Sequence, residues 1–290
     1  MSQVAVISDS TASLPERMYE RYQILMVPYY LHFEDRTARD MVDIKQEEFN
    51  AYLSQLPDGA ELPKTANPGP GDYVQAFVAA ARRAKEIISF HMTSLGSGAY
   101  QAAMVAKDMA LERLRGVRIE VIDTRNVSMG HGWMVLQAAR ASAKGADLDD
   151  ILDMVRKMIP VSRMIQTADT LRYLYMGGRI GRAKHVLGSL LKIKPLISME
   201  DGVIVALGVT RSRLTAYRRI ASLVEKAVGY QGRIRLALTH AAARDETDKL
   251  RRLVEALTVP VEVLVCELCP ALTVHSGPGT AGLCYVPERV

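Results

Sequence analysis

Val4-Ala5-Val6-Ile7-Ser8-Asp9-Ser10-Thr11-Ala12-Ser13-Leu14-Pro15-Glu16 runs from a β-branched stretch into hydroxyls and then into a helix start. Ser13 reads as an N-cap with Pro15 in the first helical turn, so the segment is strand, polar loop, helix. The succession recurs. Ile87-Ile88-Ser89-Phe90 leads through His91 to Gly98 into a helix from about Ala99 to Leu114. Ile119-Glu120-Val121-Ile122 ends in Asp123-Thr124 before a helix around Trp133 to Ala143. Strands separated by helices of this length predict a parallel, doubly wound sheet with helices on both faces.

Between these units, Ile24 to Leu31 is a second extended candidate, and Pro28 inside it implies an edge or a strand end. Asp43 with Gln46 three residues on resembles a capping pair for a helix through Phe49, Tyr52 and Leu53. Lys64 to Gly71 carries prolines and glycines that predict a shaped loop without regular structure. It feeds a helix bearing Tyr73, Val74, Phe77, Val78 and Ala81. After Gly145 the pattern changes. A helix from Leu148 to Met158 is followed by strand candidates at Met164 to Gln166, Leu196 to Met199, Val203 to Val209, Ile234 to Leu238 and Val261 to Val265. Glu200-Asp201-Gly202 is a hairpin turn signal. Helices are expected around Leu187, at Thr215 to Val228 and at Asp245 to Leu257. This half reads as an α+β domain, with units at residues 1–155 and 156–290.

Hydrophobic residues make up 49% of the 290 and charged residues 24%, which excludes a disordered mode of action. The longest apolar stretches, such as Val203 to Val209, fall far short of the ~20 residues that span a bilayer, so no transmembrane segment is expected. No export signal is read at the start of the chain, and three cysteines suit a reducing compartment, which together predict a cytoplasmic protein. The 37 basic residues stand against 32 acidic ones and mostly alternate with them, which reads as a mixed solvated surface with no nucleic-acid partner.

Ligands of an open parallel sheet bind at the carboxyl ends of its strands, where loops converge and helix N-termini present free N–H groups. Three polar loops fall there, at residues 8–11, 91–98 and 123–128. They offer Ser8, Asp9, Ser10, Thr11, Thr93, Ser94, Ser97, Asp123 and Thr124, a set that recognises an anion more readily than it hydrolyses anything. Ser97, between Gly96 and Gly98, either hydrogen-bonds a carboxylate or phosphate or simply caps the following helix. Gly96-Ser97-Gly98 is not the nucleophile elbow of serine hydrolases. No G-x-G-x-x-G or P-loop follows a strand, so no nucleotide cofactor is expected.

His275, ahead of Gly277-Pro278-Gly279, is a donor to a ligand carboxylate or is bonded within its own loop. Cys266, Cys269, His275 and Cys284 lack the second tight ligand pair of a structural zinc site, so no metal is expected. A redox role is disfavoured because Pro270 follows Cys269, instead of the pair opening a helix. Thr170 to Arg182 reads as a short helix stopped by Gly177-Gly178. Arg179 just beyond it is a docking or anion contact, or else satisfies the helix's last carbonyls. The fourteen methionines fill core gaps or line an adaptable apolar cavity.

Taken in order, Ser8-Asp9-Ser10-Thr11, Thr65-Ala66-Asn67-Pro68, Ser97-Gly98-Ala99-Tyr100, Thr170 to Ile180 with its Gly177-Gly178-Arg179-Ile180, and His275-x-Gly277-Pro278-Gly279-Thr280 resemble the DegV family of bacterial fatty-acid-binding proteins. The resemblance spans essentially the entire chain. It implies an N-terminal Rossmann-like domain of the DegV/EDD type and a C-terminal α+β domain. One long-chain fatty acid, palmitate- or oleate-like, would lie at their junction. It also implies a carrier, not a catalyst, that presents the carboxylate to an ATP-dependent fatty acid kinase making an acyl phosphate for phospholipid synthesis. By the same resemblance Thr65, Ser97 and His275 hold the carboxylate, with Gly98, Ser94 and Asn67 beside them, and Arg179 engages the kinase. Ala66, Asn67 and Ala99 stand where the family has serine, glutamine and threonine, which leaves two hydroxyls fewer near the head group.

A binding role is energetically reasonable: burial contributes about 0.8 kcal/mol per methylene, on the order of 10 kcal/mol for a C16 tail before ordering costs. The alternative from the enzyme class is a serine-dependent acyl- or phosphoryl-transfer enzyme using Ser97 with His275 and an aspartate such as Asp9. Turnover of an activated ester separates the two.

Overall fold

The computed structural model describes residues 4–57, 60–186 and 193–289. The first half contains β1 (Val4–Asp9), α1 (Glu16–Arg21), β2 (Leu25–Val27), β3 (Tyr30–His32), β4 (Thr37–Arg39), α2 (Gln46–Gln55) and β5 (Lys64–Ala66). It continues with α3 (Pro70–Ala81), β6 (Glu86–His91), α4 (Ala99–Leu111), β7 (Arg118–Asp123), α5 (Met129–Ala143) and α6 (Leu148–Met158). The doubly wound reading holds: β2, β1, β6 and β7 form a four-stranded sheet in that order, paired in parallel throughout. Tyr73 and Phe77 of α3 and the alanine face of α4 cover one side, packing on Ile7, Ile87 and Ile119. Trp133 and Leu136 of α5 with Ile151 and Val155 of α6 cover the other, against Val4, Val6 and Ile88.

Local starts and stops differ from expectation in three places, whereas Pro28 marks a strand end at a sheet edge as expected. Ser13 does not cap α1. It closes a 3-10 turn over Ser10–Ala12 at φ 49°, the turn being capped by Asp9, and Pro15 precedes α1 without a side-chain cap. Asp43 does not cap α2 either, because both of its carboxylate oxygens are taken by the Arg39 guanidinium, and Lys45 occupies the cap position. Pro28 divides the 24–31 stretch between two sheets: β2 is an edge of the parallel sheet, whereas β3 joins a separate sheet ordered β4-β3-β5. The 64–71 loop accordingly begins as a strand, since the distant β3 supplies a ladder partner, Leu31 opposite Thr65, which no local propensity reveals.

The second half contains β8 (Arg163–Thr167), α7 (Arg172–Met176), β9 (Lys194–Glu200), β10 (Val203–Thr210), α8 (Arg213–Val228), β11 (Gly232–His240), α9 (Arg244–Glu255), β12 (Thr258–Glu267), α10 (Pro270–Ser276) and β13 (Ala281–Pro287). These strands form one mixed sheet ordered β10-β9-β8-β13-β11-β12. The β9–β10 hairpin turns at Asp201 and Gly202, both at positive φ, as the sequence predicts. Pro260 lies in β12, an edge strand, where a missing N–H is tolerated. Two elements were not expected: β13, which sits between β8 and β11, and α10, which Cys269 and Pro270 open after all. The helix expected around Leu187 lies outside the described residues.

Helix α5 is buried along most of its length, with Gln137, Arg140 and Ala141 half-buried, because it is clamped between the parallel sheet and the mixed sheet. Close approaches explain its Gly130 and Gly132: a Cβ on Gly130 would meet Asn126 Oδ1 at 2.2 Å, and one on Gly132 the Ala12 carbonyl oxygen at 2.6 Å. The same core cluster carries Met164, Met199, Cys284 and Val286 of the second sheet, so the two sheets share one continuous core.

Candidate functional site

In the parallel sheet the chain leaves β1 toward β2 on one side and reaches β6 on the other, so the loops diverge at the carboxyl ends of these strands. Thr11 after β1, Tyr29 after β2, and Gly96, Ser97 and Gly98 after β6 line a small pocket of about 70 Å³ at this point. Thr65 and Asn67 enter from β5 and its exit, His275 from α10, and Arg179 from the turn after α7. Residues far apart in sequence thus converge because α10 leaves the second sheet and packs its Cys269, Ala271 and Val274 into the first half's cores.

The polar contacts form two couples. His275 Nε2 lies 2.8 Å from Thr65 Oγ1, and the Tyr29 hydroxyl lies 2.6 Å from Ser97 Oγ. His275 Nδ1 is sealed without a hydrogen-bond partner and faces Gly177, where a Cβ would stand 2.1 Å away. A sealed lone pair costs less than a sealed N–H, so we place the ring proton on Nε2, donating to Thr65 and leaving the threonine proton for a ligand. Burial, reinforced by the Arg179 guanidinium, pulls the imidazole down to about 4, so it is neutral at physiological pH. His275 therefore acts from a helix and through Thr65, rather than from the glycine-rich loop.

Behind this pocket lies an apolar cavity of about 240 Å³, walled by Met164, Leu174, Ile197, Met199 and Ile204 among others. The two share Met92, Gly96, Arg179, Leu272 and His275, so they are adjoining compartments, one polar and one greasy. The β9–β10 turn forms part of the cavity wall, held by the Thr93 hydroxyl donating to the Gly202 carbonyl at 2.8 Å. Three methionines line this cavity, the second of the two uses weighed for that residue type.

Of the residues singled out by sequence, Thr65, Asn67, Ser97, Gly98, His275 and Arg179 all reach the polar pocket. Ser94 does not: its hydroxyl donates to Asp123 Oδ2 at 2.5 Å and its amide to the other oxygen, which fixes the loop instead. The Asn67 amide is turned toward the Pro68 carbonyl at 2.8 Å. Arg179 donates to the Gly177 carbonyl at 2.7 Å, the second of its two readings, and lines both compartments. Tyr29 was missed. The signal available was Pro28, which ends β2 and delivers the next side chain to the strand's carboxyl end.

Asp9 is wholly buried and accepts from the Thr11 amide and hydroxyl and from the Met92 amide at 3.1 Å. Burial raises its carboxyl, but His131, His91 and Thr11 outweigh that and hold it below the usual range. Burial in turn draws His131 down to about 4, and the Thr11 and Met92 donors contact the carboxylate directly. Asp9 thus positions Thr11 and does not touch His275, and Ser97 and His275 are hydrogen-bonded to different partners rather than to each other. Among the described residues no group of three or more His, Cys, Asp or Glu is placed to hold a metal ion. Cys266, Cys269 and Cys284 are buried free thiols, and burial raises all three, so none is poised as a thiolate although Cys269 opens a helix. Among the described residues no helix is long and apolar enough to cross a membrane.

Comparison with known proteins agrees with this fold. The family described as uncharacterised protein, DegV family, matches residues 3–288. A DegV domain-containing protein of Caldanaerobacter subterraneus is 31% identical over 288 residues, covering 98% of this chain and 99% of its own. A DegV family protein from Thermus thermophilus, described by its fatty acid binding, superposes with a TM-score of 0.90 at 30% identity, covering 99% of this chain and 100% of its own. DegV of Bacillus subtilis, described as a fatty acid binding protein, superposes with a TM-score of 0.86 at 27% identity, covering 99% and 100%. With the family model matching residues 3–288 and the fold superposing over nearly the whole length, the chain belongs to the DegV family.

Proposed function

We propose that this protein binds one long-chain fatty acid, the carboxylate between Thr65 and Ser97 and the tail in the methionine-lined cavity. It presents that acid to an ATP-dependent fatty acid kinase, which forms the acyl phosphate, and is itself a carrier without turnover. The ligand lies where the units 1–155 and 156–290 meet, and an ATP-using partner sets the location as the cytoplasm. The observation that carries the reading is the pairing of an apolar cavity with a polar pocket through shared walls. An amphiphile needs both, because a buried carboxylate without donors forfeits much of what its tail gains. Exposed Arg179 stands at the polar end, where a partner reaching for the carboxylate would meet it.

Native mass spectrometry of freshly purified protein tests this. A co-purifying mass of fatty-acid size supports the reading. A ligand-free protein that also refuses added palmitate and oleate contradicts it.

A further inference from the structure

Tyr29 is 5% exposed, and its hydroxyl reaches Ser97 Oγ at 2.6 Å in the floor of the polar pocket. Ser97 Oγ is also 3.2 Å from the Ala99 amide, which can only donate to it. A serine hydroxyl has one proton and two acceptor sites. If Ser97 donated to Tyr29, its proton would be consumed and the serine would turn an acceptor toward the ligand. If Tyr29 donates, both acceptor sites of Ser97 are filled by Tyr29 and Ala99, and its proton has nowhere to go but the pocket. A phenol is the stronger donor of the two hydroxyls. Burial, with Asp9 and other nearby acids adding to it, raises this phenol well above its usual value, so it keeps its proton.

The arrangement repeats on the opposite wall, where the His275 ring donates to Thr65 and frees that hydroxyl's proton. The neighbouring positions 66 and 99 are alanines, so Tyr29 supplies a hydroxyl to a pocket short of them. We propose that Tyr29 is a positioning residue that makes Ser97 an obligate donor, and that with the His275–Thr65 couple it selects an ionised carboxylate over a neutral head group on the same tail. The inference rests on the fatty-acid reading above and adds the residue that sets head-group charge.

The test compares full-length wild type, Tyr29→Phe, Ser97→Ala and the double variant by displacement of a bound fluorescent fatty acid, with palmitate and hexadecanol as competitors. Phenylalanine keeps the ring that packs, so only the hydroxyl is lost. Tyr29→Phe is expected to weaken palmitate about tenfold, as for loss of support to a charge-accepting hydrogen bond, and hexadecanol by less than about twofold. The double variant should bind palmitate as Ser97→Ala alone does, since Tyr29 acts through Ser97. The carboxyl-carbon resonance of ¹³C-labelled palmitate should stay ionised to lower pH in wild type than in Tyr29→Phe. Unchanged palmitate binding in Tyr29→Phe, equal loss of both competitors, or additive losses in the double variant overturns the assignment. Wild type that binds neither the fluorescent fatty acid nor palmitate overturns the fatty-acid reading itself, a result distinct from all of these.

Discussion

Thr65 and His275 are 210 residues apart in the chain, yet Thr65 Oγ1 and His275 Nε2 meet at 2.8 Å. The contact ties β5, in the small sheet, to α10, which extends from the end of β12, and it closes one wall of the polar pocket. Removing the threonine hydroxyl isosterically should therefore cost ligand and little else. Thr65→Val is expected to weaken palmitate by roughly 1.5–3 kcal/mol, the range for a hydrogen bond to a charged group, with a melting temperature near wild type. Calorimetric titration and a thermal melt on the same preparation check both halves.

Gly177 and Gly178 look interchangeable in sequence but not in space. A Cβ on Gly177 would stand 2.1 Å from His275 Nδ1, whereas one on Gly178 meets nothing within 4 Å despite a φ of +69°. Gly177→Ala should push the imidazole off Thr65 and destabilise by about 1–3 kcal/mol, as overpacking does, with loss of palmitate binding. Gly178→Ala should cost only the backbone strain of about 1 kcal/mol and leave binding intact. Equal behaviour of the two variants would contradict the packing of α7 against α10.

Acid should destabilise the fold through its neutral histidines. His131, His240 and His275 are each drawn down to about 4, chiefly by burial, against an unfolded value near 6.5. Between those values the unfolded chain binds more protons, so stability is full above about pH 6.5 and falls progressively below it. Asp40 opposes this in part: burial raises it to about 6, so it favours the folded state as pH drops from 6 toward its ordinary range. Glu267 is raised too, chiefly by burial, but the three histidines outweigh the two acids. Urea midpoints at pH 7.5, 6 and 5 should decline in that order, and a flat or rising series would refute the burial assigned to these rings.

Filling the greasy compartment should discriminate by tail length. Ile204 of β10 lines it, and Ile204→Trp would take space that a long tail needs. Palmitate binding should fall well below wild type while decanoate, shorter by six methylenes worth about 0.8 kcal/mol each when buried, loses little. Loss of both acids alike would place the tail elsewhere.

How much of this could be read beforehand follows from range of interaction. The parallel sheet was legible because β1, β6 and β7 each carry their own apolar run and lead into a helix with a clear face. Helix α6 was placed at its observed bounds, Leu148–Met158, and there Asp147 caps it while Leu148, Ile151, Leu152 and Val155 form its buried face. The residues that meet in the polar pocket were legible from motif order rather than from physics of the isolated segments. By contrast, β5 and β13 exist because distant strands pair with them, and α10 is seven residues whose Ala271 and Val274 find cores in the other half. Ser94 looked like Ser97 in sequence. Only the position of Asp123, opposite it at the end of β7, decides that its hydroxyl is spent on the loop.

The most direct trial is a crystal structure of the protein grown with palmitate. The carboxylate should lie within hydrogen-bond distance of both Thr65 Oγ1 and Ser97 Oγ, with the tail running between Met164, Ile197 and Met199. Density for the acid on any other surface, or a head group pointing away from those two hydroxyls with the tail toward solvent, would contradict the account.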